Sequence, residues 1–310
     1  MIQELKTAVL IPCFNEEKSI SKVVKDFRKN LPDAYIYVYD NNSTDKTADI
    51  AKKQGATVKF EKVRGKGNVV KRMFSDIEAD IYIIVDGDST YDATVSGYMI
   101  KLLIEKNLDM VVGIRKSTDK EAYRYGHVLG NKVLTWSVSK IFNSEFTDML
   151  TGFRVMSKRF VKTFPLTSSG FEIETELTIH ATEIGASFEE VETKYKSREQ
   201  DSYSKLNTWS DGLKISLLIF SLFKDHRPLL FFSIFSFIFF LLSIFLATPI
   251  IMTWIDTGLV PRLPSAVLSL GLMIFSFFSL LSGIILDGIS RHRKESKRLK
   301  YLEYKPVITN

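Results

Sequence analysis

Short apolar runs alternate with amphipathic stretches along the early part of the chain. Residues 6–11, 35–39, 57–62 and 81–85 read as four strands, the first ended by Pro12, and residues 109–114 as a further one. Helical patterns lie between them. Ile20, Val23, Val24 and Phe27 recur at helical spacing within 19–30, residues 46–54 form a second helix with Gly55 as its stop, and Gly65-Lys66-Gly67 opens a third. Alternation at this spacing predicts an α/β domain with a mostly parallel sheet and right-handed crossovers. The run Ile81-Tyr82-Ile83-Ile84-Val85 has no polar break, which marks a strand buried on both faces. Beyond residue 114 the pattern blurs into helices and short strands up to about Tyr195.

The C-terminal part follows a different rule. Residues 229–254 and 263–286 contain no charge, and each exceeds the roughly 20 apolar residues that cross a bilayer as a helix. The connector between them carries only Asp256 and Arg262. Lys224, His226 and Arg227 precede the first span, and Arg291, His292, Arg293, Lys294, Lys297, Arg298 and Lys300 follow the second. Cationic flanks on one side predict a multi-pass plasma (inner) membrane protein whose N-terminal domain and both flanks are cytoplasmic. Residues 207–223 set Trp209, Leu213, Leu217, Phe220 and Leu222 among polar positions. That pattern suits a helix lying in the membrane interface or one packed on the soluble domain. Four parts are expected: a soluble domain (1–206), a juxtamembrane helix (207–227), a two-helix transmembrane hairpin (228–290) and a basic tail (291–310).

Charge and composition narrow the function. The net charge of +6 over 310 residues is concentrated beside the spans, where basic side chains meet anionic head groups. No nucleic-acid-binding motif accompanies it, so nucleic acid is not an expected partner. One cysteine and four histidines leave no disulfide framework and no structural zinc site.

Polar or Gly-rich clusters close four strands in turn: Pro12-Cys13-Phe14-Asn15-Glu16-Glu17, Asp40-Asn41-Asn42-Ser43, Arg64-Gly65-Lys66-Gly67-Asn68 and Asp86-Gly87-Asp88-Ser89. Any one is ordinary turn chemistry. Four at the carboxyl ends of parallel strands share the edge where open α/β sheets bind ligands. Asp86 and Asp88 offer hard oxygen ligands suited to Mg²⁺ or Mn²⁺ bridging substrate phosphates, with no basic neighbour in sequence to neutralise them. Gly87 between them lets the backbone approach something closely. Asp40 suits a base or ribose hydroxyl, and Gly65-Lys66-Gly67 at a helix start offers N–H groups and a cation to a phosphate.

These segments, with Thr151-Gly152-Phe153-Arg154 and Ser204-Lys205-Leu206, resemble glycosyltransferase family 2 over roughly residues 5–210. Within it, the polyprenyl-phosphate glycosyltransferases, the group containing dolichyl-phosphate mannose synthase, look most similar. The resemblance implies a GT-A, Rossmann-like catalytic domain. It implies inverting, metal-dependent transfer of a sugar, a UDP-hexose being the leading donor, to a polyprenyl phosphate such as undecaprenyl phosphate, for cell-envelope glycan modification. It further implies a homo-oligomer and a lipid-sugar flippase as partner. By matching position, Pro12, Phe14, Glu16, Asp40, Asn42, Lys66, Gly67, Asp86, Gly87, Asp88 and Arg154 would bind the nucleotide sugar, and Asp86 and Asp88 the metal. Asn41 replaces the second acid found in many relatives.

Two anions must meet in such a reaction, which calls for arginines with their planar fork. Arg115, Arg124, Arg198 and Lys205 are the candidates for the acceptor phosphate, Arg198 also as a catalytic group. Asp148 aligns with the acid that serves as base toward sugar acceptors; here it would orient the donor sugar or pair with Arg154. Glu172, Glu174 and Glu176 spread around a helix and do not form one metal site, although one of them can reach the sugar. His127 and His180 read as ordinary helix or core residues. A synthase extending a glycan and a non-catalytic nucleotide-sugar-binding scaffold are the competing readings.

Overall fold

The computed structural model describes residues 5–117, 136, 140, 146–165, 173–196, 217, 219–260 and 262–307. Seven strands form one sheet: β1 (Thr7–Cys13), β2 (Tyr35–Asp40), β3 (Thr57–Phe60), β4 (Ile81–Ile84), β5 (Met110–Ser117), β6 (Arg154–Ser157) and β7 (Phe188–Tyr195). Their spatial order is β3-β2-β1-β4-β6-β5-β7. All neighbours pair in parallel except β6, which runs antiparallel between β4 and β5. The mostly parallel α/β expectation is met. The helices of this domain are α1 (Ile20–Asn30), α2 (Thr47–Lys53), α3 (Lys66–Asp76), α4 (Ser96–Glu105), α5 (Lys158–Thr163) and α6 (Ile173–Ile184).

The apolar stripe of α1, namely Ile20, Val23, Val24 and Phe27, is buried against the sheet as the periodicity implies. All four residues of β4 are buried, so both its faces are covered. β1 departs from expectation by running through Pro12 to Cys13. Leu10 accepts from Val85 N–H, so Pro12, two residues on, faces the same side, where β4 has already ended. The missing N–H therefore costs no ladder bond.

Residues 297–310 belong to the catalytic unit rather than forming a free tail. The long helix α8 (Leu263–Leu302) continues without a break past the second apolar stretch. Asp287 and Arg291 pair one turn apart across Gly288, and no proline interrupts the helix between them and Leu302. In its last turns Tyr301 donates to Asp109 Oδ2 at 2.8 Å, and Lys297 meets Glu183 at 2.6 Å. Arg298 donates to the Ile184 carbonyl. Asp109 is fully buried and also receives Arg159, Ser157 Oγ and both Ser187 donors. Arg159 and Arg298 stand over the Tyr301 ring at 4.8 and 4.9 Å. The segment expected to be a basic tail is thus partly a strap.

His180 is a core residue, 1 % exposed between Phe160 and Phe164. Burial first, and then the Lys297 charge, push its pKa down to about 3. An unfolded histidine titrates near 6.5, so stability held above that pH is lost as pH falls from about 6.5 toward 3. His180→Phe is expected to flatten the acid limb of a stability–pH curve measured by thermal melts.

The second unit spans residues 210–296 and is a hairpin of α7 (Pro228–Thr257) and the first part of α8. Both helices are long and apolar enough to cross a membrane. Ser236 and Ser276 meet at 3.1 Å, and Ser243 and Ser269 at 3.2 Å. A Cβ on Gly283 would lie 3.0 Å from the Phe232 Cβ and 3.4 Å from the Leu229 Cα. Positions 229, 236 and 243 thus face 283, 276 and 269, a seven-residue period of close approach between the two helices. Of the expected juxtamembrane helix (207–227), residues 207–216 and 218 lie outside those described, and 219–226 are helical.

Candidate active site

The carboxyl edge of β1–β4 is built by side chains that tie each strand end to the next. Asn15 N–H donates to Ser43 Oγ (2.9 Å), Glu16 N–H to Thr47 Oγ1 (2.8 Å) and Thr44 N–H to Asn15 Oδ1 (2.8 Å). Asn41 donates to the Glu61 and Val63 carbonyls and accepts from Gly65 N–H at 2.8 Å. Asn42 donates to the Lys62 carbonyl at 2.7 Å. Ser19 Oγ donates to the Gly87 carbonyl at 2.7 Å, joining the start of α1 to the acid turn. The Asn41 amide is thus a two-sided staple holding the β3 end and the Gly65 turn.

Asp40 is 3 % exposed; Oδ2 accepts from Ser43 N–H, while Oδ1 is buried with no partner among the described residues. A buried carboxylate oxygen left open at a ligand edge awaits a donor. Phe14 lies 5.5 Å beneath the Arg64 guanidinium, and Glu16 accepts from Ser19 Oγ at 3.0 Å. Pro12 is the penultimate residue of β1, and Gly67 is buried in the first turn of α3.

Asp86 and Asp88 follow β4. Asp88 Oδ1 accepts from Thr90 N–H (3.2 Å) and Thr90 Oγ1 (2.6 Å). The expectation that the pair lacks a basic neighbour is corrected: Lys66 Nζ lies 2.5 Å from Asp86 Oδ1 and also donates to Glu174 Oε1. Burial opposes the charge on Lys66, but Asp86 and Glu174 outweigh it and hold the ammonium charged. Lys66 is therefore bound between two carboxylates rather than open to a phosphate.

The two glycines here serve packing. A Cβ on Gly87 would lie 2.7 Å from Cys13 Sγ, so the backbone there approaches the β1 thiol beneath it closely. Gly152 faces the acid itself, for a Cβ there would meet the Asp86 Cγ at 2.7 Å. Its N–H donates to the Tyr91 hydroxyl at 2.8 Å, and the Tyr91 ring packs on Tyr195 and Phe153. Gly152→Ala is expected to displace the Asp86 carboxylate and lower kcat by about 10²-fold, the usual effect of a misplacement near 1 Å. Steady-state kinetics beside a thermal melt would separate that effect from unfolding.

Arg154 does not belong to the site. β6 sits between β4 and β5, and its first residue is fully buried, donating to the Met149 and Glu174 carbonyls and to Thr178 Oγ1. Burial pushes its pKa down to about 10 against the pull of Glu174 and Asp148. It is an internal clamp that fixes the start of α6, and with it Glu174. Asp148 pairs with Arg115, not Arg154: two 2.8 Å bonds join guanidinium and carboxylate, and Arg115 lies 5.6 Å over Tyr195. Arg124, Arg198 and Lys205 lie outside the described residues.

Among the described residues, no three metal-binding side chains form a ready-made cage. Glu174, Tyr91 and Gly152 are the site residues the sequence reading did not assign. Only the neighbouring glutamates hinted at the first.

Comparison with known proteins agrees with this arrangement. The family profile described as "Glycosyl transferase family 2" matches residues 8–164. Glycosyltransferase AglJ of Haloferax volcanii is 31% identical over 298 residues, covering 95% of this chain and 97% of that protein. Protein RfbJ of Shigella flexneri is 56% identical over 128 residues, 41% of this chain and 99% of that one. Glucosyl-3-phosphoglycerate synthase of Mycobacterium tuberculosis, crystallised with Mn²⁺, UDP-glucose and phosphoglyceric acid, superposes with a TM-score of 0.57. At 19% identity, over 71% of this chain and 79% of that one, it shares the fold. The sheet, its ligand edge and a relative matching nearly end to end all lead to one assignment: the chain belongs to glycosyltransferase family 2.

Proposed function

We propose that this glycosyltransferase passes a hexose, with inversion, from a nucleoside-diphosphate donor to a polyprenyl phosphate at the membrane, as in the dolichyl-phosphate mannose synthase-like group. The observation that carries the reading is a two-carboxylate turn at the ligand edge of a parallel sheet, in one chain with a two-helix apolar hairpin. AglJ matches across both parts, and structures sharing the fold hold UDP and Mn²⁺.

Asp40 Oδ1 would accept from the base or ribose of the nucleoside, with Pro12, Phe14, Glu16, Asn42, Gly67 and Gly87 along the same edge. Asp86 and Asp88 would hold Mg²⁺ or Mn²⁺, hard cations that favour carboxylate and phosphate oxygens. The Lys66 ammonium already stands where Asp86 meets a cation. A bound divalent ion neutralises charge gathering on the leaving diphosphate. An acceptor phosphate is anionic near neutral pH and needs no general base. Its oxygen attacks the anomeric carbon as the bond to the diphosphate oxygen breaks. Arg115, held in a fixed fork by Asp148, with Arg124, Arg198 and Lys205, would offset repulsion between the two anions.

The test is lipid transfer by the full chain in detergent, with undecaprenyl phosphate, Mn²⁺ and a panel of UDP-hexoses, UDP-N-acetylhexosamines and GDP-mannose. A lipid-phosphate sugar is expected from one donor. Transfer to a glycan primer instead, or no metal-dependent turnover of any donor, overturns the reading. The catalytic domain and both hairpin flanks face the cytoplasm on this reading. Reporters fused at Asn310 and at Gly258 should then score on opposite sides; scoring on the same side refutes that topology.

A further inference from the structure

Lys66 links two carboxylates from distant parts of the fold. Asp86 closes β4, Glu174 opens α6, and the ammonium between them is 13% exposed. The Lys66 side chain has no partner other than these two among the described residues. Glu174 is itself held: its carbonyl accepts from the fully buried Arg154 and from Thr178 Oγ1. One oxygen of Asp86 is thus already bonded to a cation, on the turn assigned to a divalent ion. An ammonium and a divalent ion cannot both sit against that carboxylate without strong repulsion.

We propose that Glu174 is a positioning residue of the metal site, acting through Lys66. Lys66 competes with the divalent ion for Asp86, and Glu174 gives the displaced ammonium a second carboxylate to rest on. Glu174 thereby sets how readily Asp86 becomes a ligand. A donor diphosphate, arriving with the metal, adds negative charge beside the same ammonium and draws it further from Asp86. Metal and nucleotide should therefore bind with positive coupling, and Lys66 should be its source. The inference rests on the assignment of Asp86 and Asp88 as the metal turn.

The test is Mn²⁺ binding to the full chain in detergent, read by electron paramagnetic resonance with and without UDP. Lys66→Met is expected to tighten Mn²⁺ binding without UDP by roughly tenfold and to shrink the UDP-linked gain. Glu174→Gln should weaken Mn²⁺ binding by a similar factor, because Asp86 becomes the sole carboxylate partner of Lys66. Glu174→Asp should recover part of it. In the double variant the Glu174→Gln effect should vanish, since its route is gone. A Glu174 that merely supported the fold would lower the melting temperature and keep its effect in the double variant. Lys66→Gln repeats the test should Lys66→Met fold poorly. Unchanged Mn²⁺ affinity in both Lys66 variants, or additive effects in the double variant, overturns the inference alone. Failure of the wild type to bind Mn²⁺ with UDP, or full Mn²⁺ binding by Asp88→Asn, overturns the metal assignment as well.

Discussion

Asp88→Asn is expected to lower transfer by at least about 10³-fold while leaving the melting temperature within about a degree, a loss near 4 kcal/mol of transition-state stabilisation. The amide is chosen because Asp88 Oδ1 organises its own turn, accepting from Thr90 N–H and Thr90 Oγ1. Asparagine keeps that acceptor and removes the charge. Asp88→Ala would break the turn as well, confusing two effects. Excess EDTA should bring the wild type to the floor of the variant, and Mn²⁺ should restore only the wild type. An Asp88→Asn enzyme that keeps half its rate and ignores EDTA would show that the acids serve something other than a metal.

The largest effect on stability is expected at Asp109, where the strap enters the catalytic unit. Asp109→Ala leaves the Arg159 guanidinium, 15% exposed, without its carboxylate, and strips acceptors from Ser157, Ser187 and Tyr301. Removing one member of such a pair costs about 3 kcal/mol or more, which for a unit of this size lowers the melting temperature by roughly 6–12 °C. Tyr301→Phe removes one hydrogen bond and keeps the ring between two guanidinium groups, so about 1 kcal/mol is expected. Thermal melts of both variants in detergent give the comparison. Equal melting temperatures for Asp109→Ala and wild type would mean that the strap does not hold.

What could be read in the chain, and what could not, divides by range. The parallel strands, α1 with its buried stripe and the four strand-end clusters follow from periodicity and turn chemistry, which act over a few residues. Asp40, Asp86 and Asp88 were visible for the same reason. Lys66 and Glu174 meet across 108 positions, and no local pattern reports such a contact. Arg115 and Asp148 meet because β6 turns back between β4 and β5, and that reversal fell where the hydrophobic pattern blurred. Motif chemistry also misled in places. Lys66 looked open to a phosphate, yet it is bound between Asp86 and Glu174. Arg154 looked like a binding arginine until the antiparallel strand put it in the core. Basic composition made the segment after the second apolar stretch read as a tail, although Tyr301 within it reaches a buried acid.

That last contact sets an order of events during synthesis. Asp109 and Tyr301 are 192 residues apart in sequence, and both apolar stretches are translated between them. A ribosome has released every strand of the sheet before the residue that caps Asp109 exists. Until then the carboxylate of Asp109 and the Arg159 guanidinium lack the Tyr301 hydroxyl and ring. In effect the apolar hairpin is an insertion within the catalytic unit, and a fragment ending near residue 206 is an unfinished protein. Such a fragment should melt lower than the full chain, and a version in which a short linker replaces the hairpin and retains residues 297–310 should regain the difference.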